Sequence, residues 1–67
     1  MIDRESIGQK LRTARDKRTL ESVAAETGIS ASALGMYERG ERVPKDEIKV
    51  TLANYYGKSV EELFFTQ

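Results

Sequence analysis

The sequence predicts an all-α fold, a compact arrangement of five short helices. Three observations carry this. Apolar residues recur at three- and four-residue spacing, as in Ile7, Leu11 and Ala14, with charges between them. Residues that start helices alternate with residues that stop them: Thr19 and Ser30 open segments that Gly28 and Gly40 close, and Gly57 ends a fourth segment just before Ser59 opens the last. No stretch alternates apolar and polar residues long enough for a strand, and the β-branched residues are scattered.

Residues 5–17 suit the first helix, capped by Asp3 or Ser6, with Lys17 and Arg18 complementing the dipole at its end. Thr19 is the N-cap of a second helix, Leu20–Thr27, with Glu21 in its first turn. Gly28 can take a positive φ just past that helix, and Ser30 can accept from the free N–H groups opening a third, Ala31–Arg39. Gly40 stops it, and Glu41-Arg42-Val43 connects onward. Pro44 fits the first position of a fourth helix, whose N-terminus Asp46 and Glu47 favour. Ile48, Leu52 and Tyr55 or Tyr56 give it an apolar face, and Gly57 ends it. Ser59-Val60-Glu61-Glu62 is a capping box for a last short helix ending in Leu63-Phe64-Phe65.

A length of 67 residues suits one domain over 1–67, near the lower limit for folding without staples. With neither cysteine nor histidine, no disulfide forms and no zinc site is expected. No apolar run approaches the roughly 20 residues of a membrane span, and MIDRESIGQK has no signal-peptide character, so a soluble cytoplasmic protein is expected. An enzyme is not expected either. The chain has no glycine-rich phosphate cradle and no paired acids beyond helix caps such as Asp46-Glu47, and no cofactor or small-molecule ligand is evident.

Eleven bases balance eleven acids, which leaves no overall basic footprint for nucleic acid. The charge is polarised instead. Residues 1–18 hold six Lys/Arg against three acids (+3), residues 19–45 three against four (−1), and residues 46–67 two against four (−2). Ordinary solvated helix faces explain such a gradient as well as a binding surface does.

The segment 20–39 is the informative one. Two short helices meet at Gly28-Ile29-Ser30, with small or apolar residues at Val23, Ala24, Ile29, Leu34 and Tyr37 that allow a close crossing. This is the pattern of a helix-turn-helix, whose second helix enters the DNA major groove.

The motifs extend over nearly the whole chain. They are Ile7-Gly8-Gln9-Lys10-Leu11-Arg12, then Val23-Ala24-Ala25-Glu26-Thr27-Gly28-Ile29-Ser30, then Tyr37-Glu38-Arg39-Gly40-Glu41-Arg42-Val43-Pro44. Leu52-Ala53 and Gly57-Lys58-Ser59-Val60-Glu61-Glu62-Leu63-Phe64 complete them. Each is weak alone; in this order and spacing they resemble the five-helix domain of the phage repressor/Cro (XRE-type) helix-turn-helix family. The resemblance implies a transcription regulator, generally a homodimeric repressor that binds double-stranded operator DNA at an inverted repeat, often of a prophage or mobile element. Two departures stand out. Family members commonly have two more residues before the second helix, whereas Asp16-Lys17-Arg18 leads straight to Thr19, with Leu20 taking over the apolar contact. Many also place a phosphate-binding Gln where this chain has Leu20.

Carried onto this sequence, the base-facing positions are Ala31, Ser32, Gly35 and Met36, an unusually apolar set. None can fork onto guanine or pair bidentately with adenine; Ser32 can hydrogen-bond almost any base, and Ala31 and Met36 can meet thymine methyl groups. Simple close packing is the competing explanation for these small residues. Arg39, Arg42 and Lys45 fall where the family contacts phosphates, although each alone also reads as a solvated cation. The resemblance also implies a structural ion pair between Arg15 and Glu38. Four of the five aromatic residues lie in the last 13 positions. Tyr56, Leu63 and Phe64 are expected to complete the core, leaving Phe65, with Tyr55 or Val60, as a dimer seam, unless Phe65 simply folds over the core edge. The alternative function is a protein-interaction module that keeps the fold, antitoxin-like, with weak or no DNA binding.

Overall fold

The computed structural model describes residues 3–65. It contains helices α1 (Arg4–Arg15), α2 (Leu20–Thr27), α3 (Ala31–Glu38), α4 (Asp46–Tyr56) and α5 (Val60–Phe64), and no strand among the described residues. Four helices start on side-chain caps. The Asp3 carboxylate accepts from the Ser6 N–H at 2.7 Å, Thr19 from Ser22 at 3.0 Å, and Ser30 from Ala33 at 3.1 Å. Ser59 and Glu62 exchange bonds reciprocally at 3.0 and 2.9 Å, and these bonds hold the Glu62 carboxyl below its ordinary range.

Helix ends differ from the expectation where the chain must turn sharply. α1 stops at Arg15 instead of 17 because Asp16 adopts φ 55°, which breaks the helix so that Thr19 can open α2 at once. Arg12 and Arg15, not Lys17 and Arg18, therefore occupy its last turn. α3 stops at Glu38 with Arg39 as its cap. The Gly40 and Glu41 N–H groups turn back to the Tyr37 and Met36 carbonyls at 3.2 and 2.9 Å. Pro44 does not open α4; it is buried in the preceding extended segment, and Lys45 is the cap. Phe65 caps α5 instead of belonging to it.

The core draws on every helix: Ile7 and Leu11 from α1, Val23 from α2, Leu34 and Tyr37 from α3, Leu52 and Ala53 from α4, Leu63 and Phe64 from α5, with Ile29 from the turn. Leu20 and Tyr56 pack half-buried against it. Full burial of a side chain such as Phe64, Leu52 or Val23 contributes about 1.5–3 kcal/mol.

α1 packs most extensively against α3, and a glycine permits the approach. A Cβ on Gly8 would lie 2.3 Å from the Glu38 carbonyl oxygen and 2.9 Å from that of Tyr37. The two helices thus meet backbone to backbone, and this contact fixes where α3 points.

Candidate nucleic-acid interface

α3 is held from within. Arg15 Nε and Nη2 donate to the two carboxylate oxygens of Glu38 at 2.7 and 2.9 Å, while Arg15 Nη1 donates to the Arg18 carbonyl at 2.7 Å. The side chains are only 18% and 9% exposed, so the fork is largely removed from water. Its hydrogen bonds to Glu38 raise the Arg15 pKa above its ordinary value. Tyr56 lies in the same electrostatic environment: burial first, and then the Glu38 charge, push its phenol up to about 12. Glu38 therefore spends its charge inward.

The turn into α3 is closed by side-chain bonds. Thr27 Oγ1 donates to the Val23 carbonyl at 2.7 Å and accepts from the Ile29 N–H at 3.2 Å. With Leu34 and Tyr37 in the core, the opposite face of α3 carries Ser32, Gly35, Met36 and Arg39, at intervals of three, four and seven residues. Ser32 is exposed, and Ala31 and Met36 are half-buried. Gly35 is not an open position. A Cβ there would lie 2.9 Å from Arg39 Nη1 and 3.7 Å from Leu20 Cδ1, so those two side chains cover it.

Arg39 is itself constrained. Its Nε and Nη2 donate to the Glu41 carboxylate at 2.9 and 3.3 Å. This pairing raises the Arg39 pKa and lowers that of Glu41, although both side chains are more than half exposed. Arg42 and Lys45 are exposed in the segment between α3 and α4.

The C-terminal residues expected at a dimer seam are distributed. The Tyr55 hydroxyl donates to the Glu26 carboxylate on α2, and the Arg18 guanidinium lies 5.4 Å from its ring. Val60 is half-buried against the core. Phe65 is 53% exposed, with Lys49 Nζ 4.9 Å from its ring, and Val50 on α4 is 50% exposed. Among the described residues no group of His, Cys, Asp and Glu could hold a metal ion, and no helix is long and apolar enough to cross a membrane.

Sequence reasoning overlooked Gly8, the bond from Arg39 to Glu41, and the placement of Arg18 over Tyr55 and Tyr56. Only Arg39 had left a visible signal, its seven-residue interval from Ser32.

The profile of the helix-turn-helix family matches residues 10–63. No curated protein sequence matches the chain. Among solved structures it is similar to the restriction-modification controller protein C.AhdI from Aeromonas hydrophila, at 31% identity and a TM-score of 0.81, covering 90% of this chain and 94% of that one. It is also similar to the DNA-binding domain of BldD, at 32% identity and a TM-score of 0.76 over 91% and 92% of the two chains. The S. venezulae BldD DNA-binding domain gives 33%, 0.75, 90% and 93%. With its turn, its braced second helix and these relatives, the chain belongs to the XRE-type helix-turn-helix family, a family of DNA-binding transcription regulators and not of enzymes.

Proposed function

We propose that the protein is a sequence-specific repressor that binds an inverted-repeat operator as a homodimer, of the kind a prophage or mobile element carries. The observation that supports it best is the placement of α3. The helix is anchored inward by Gly8 and by Arg15–Glu38, while Ser32, Met36 and Arg39 face outward and Arg42 and Lys45 follow at its exit. The similarity to a DNA-binding domain and to a controller protein points the same way.

One copy offers one recognition helix of eight residues, about 12 Å long, enough for a single half-site. Two-fold pairing would set two such helices roughly 34 Å apart, one DNA turn, a separation that copies 32 Å in longest extent can reach. Within each half-site Ser32, Ala31 and Met36 face bases, and Arg42 and Lys45 neutralise phosphates. The N–H groups opening α2 and α4 add dipole-favoured contacts.

Leu20 favours a second reading, a protein-interaction module. It is half-buried over Gly35 and puts an apolar group where many family members bind phosphate.

Gel-shift titration of genomic fragments at two salt concentrations separates the two. A regulator gives saturable binding, two chains per site, and log affinity falling with log salt at about −0.9 per phosphate contacted. Absence of salt-sensitive binding to any fragment sinks the repressor reading in favour of the interaction module. Arg42→Ala should weaken all sites alike, whereas Ser32→Ala should change the preference between sites. Equal loss on every sequence from both variants would refute that division.

A further inference from the structure

We infer that Arg39 reads a base edge in the major groove instead of anchoring a phosphate, and that Glu41 holds it only until DNA arrives. The inference rests on the proposed DNA binding. It starts from helix geometry: Ser32, Gly35, Met36 and Arg39 share the face opposite Leu34 and Tyr37, so Arg39 belongs to the reading stripe. A long side chain on a helix leans over the turn before its own Cα. For Arg39 that turn holds Gly35, which has no side chain to obstruct it, and Nη1 lies 2.9 Å from where a Cβ would be. The guanidinium is therefore drawn back toward the middle of the stripe, away from the helix end.

The rest of the stripe makes this placement consequential. Ser32 and Met36 carry no fork of donors, and Ala31 beside them carries none. A guanidinium over Gly35 supplies the planar pair of donors that matches O6 and N7 of guanine. Glu41 binds Nε and Nη2 at 2.9 and 3.3 Å, which orients the fork in the absence of DNA. Both partners are exposed, so their bond is readily exchanged in water for a bond to a base. Phosphates entering nearby repel the Glu41 carboxylate, which favours that exchange.

The test is selection from a randomised duplex library with the wild type, Arg39→Lys and Gly35→Ala, followed by affinity and salt dependence on the preferred site. Arg39→Lys keeps the charge and loses the fork. It should reduce discrimination at one G·C pair by about five- to a hundred-fold, leaving the other positions and the salt slope unchanged. Gly35→Ala changes no charge, yet its Cβ displaces Nη1, and it should weaken preference at that same pair. Glu41→Gln should keep the preferred base and raise affinity on all sequences. Wild-type preferences retained at every position by both Arg39→Lys and Gly35→Ala would overturn the role of Arg39 alone. A wild type that retains no duplex at low salt would overturn the DNA-binding reading and this inference with it.

Discussion

The two faces of α3 are built in opposite ways. On the inward face little can move: Leu34 and Tyr37 are in the core, the last turn lies against the backbone of Gly8, and Glu38 is clasped by a largely dry Arg15 fork. On the outward face Ser32 is small, Gly35 has no side chain, and the charged group, Arg39, is held by a solvent-exposed partner. The same helix is over-determined on one side and under-furnished on the other. A domain this small commits its packing to fixing the angle of the helix, and adaptability is left to side chains that water already reaches. Two glycines and two Arg–Glu pairs, one of each per face, make the contrast testable.

The glycines should give the largest difference, with opposite signs. Gly8→Ala places a Cβ 2.3 Å from the Glu38 carbonyl oxygen, and backbone cannot rotate away as a side chain would. The helices must separate, at about 3 kcal/mol, a large share of the stability of a domain of this size. Gly35→Ala comes too close only to the end of the Arg39 side chain, which can swing aside, and meets Leu20 at an ordinary contact distance. Relief of the glycine penalty in a helix should stabilise by about 0.5–1 kcal/mol. Urea denaturation followed by circular dichroism measures both, and equal destabilisation by the two variants would show that the outward face is packed as tightly as the inward one.

The ion pairs come next. Glu38→Gln preserves shape but leaves Arg15 at 18% exposure without its charged acceptor, and should destabilise by about 1.5–3 kcal/mol. Glu41→Gln removes the partner of a solvent-exposed arginine and should leave stability close to that of the wild type. The same urea titrations decide it. If both variants fell together, burial would not be what distinguishes the pairs.

The contrast also explains what was legible in the sequence. Caps such as Thr19, Ser30 and Ser59 are satisfied within three residues, so the chain announces them locally. The end of α1 was misjudged because Asp16 takes φ 55° to meet a tertiary demand, the immediate start of α2, that no local pattern encodes. Pro44 misled for a similar reason: burial against the domain outweighed its fitness for a first helical turn. Gly8 was visible as a letter, but its partner Glu38 lies thirty positions away. Arg15 and Glu38 were paired only through family resemblance; nothing in their spacing required it. The position of Arg39 depended jointly on the gap at Gly35 and the carboxylate of Glu41, a three-body arrangement that single-residue reasoning does not reach.

The smallest expected effect concerns Tyr56, which borders the inward anchor. Burial and the Glu38 charge both disfavour its phenolate, raising the folded pKa from 10.0 to about 12. The unfolded chain therefore releases this proton at lower pH than the folded one. The associated stability is fully present below pH 10 and is lost as pH rises from 10 toward 12. The residue is half-buried, so solvent screening keeps the loss small, under about 1 kcal/mol. The difference between wild type and Tyr56→Phe isolates this group and is the quantity to measure. Urea midpoints of the wild type should fall more steeply between pH 10 and 12 than those of the variant. If Glu38→Gln is introduced in both backgrounds, the gap should narrow, because the largest charge that raises the pKa has gone. A gap left unchanged by Glu38→Gln would show that the anchor exerts no field on its neighbour, and the inward face would then owe its rigidity to contact alone.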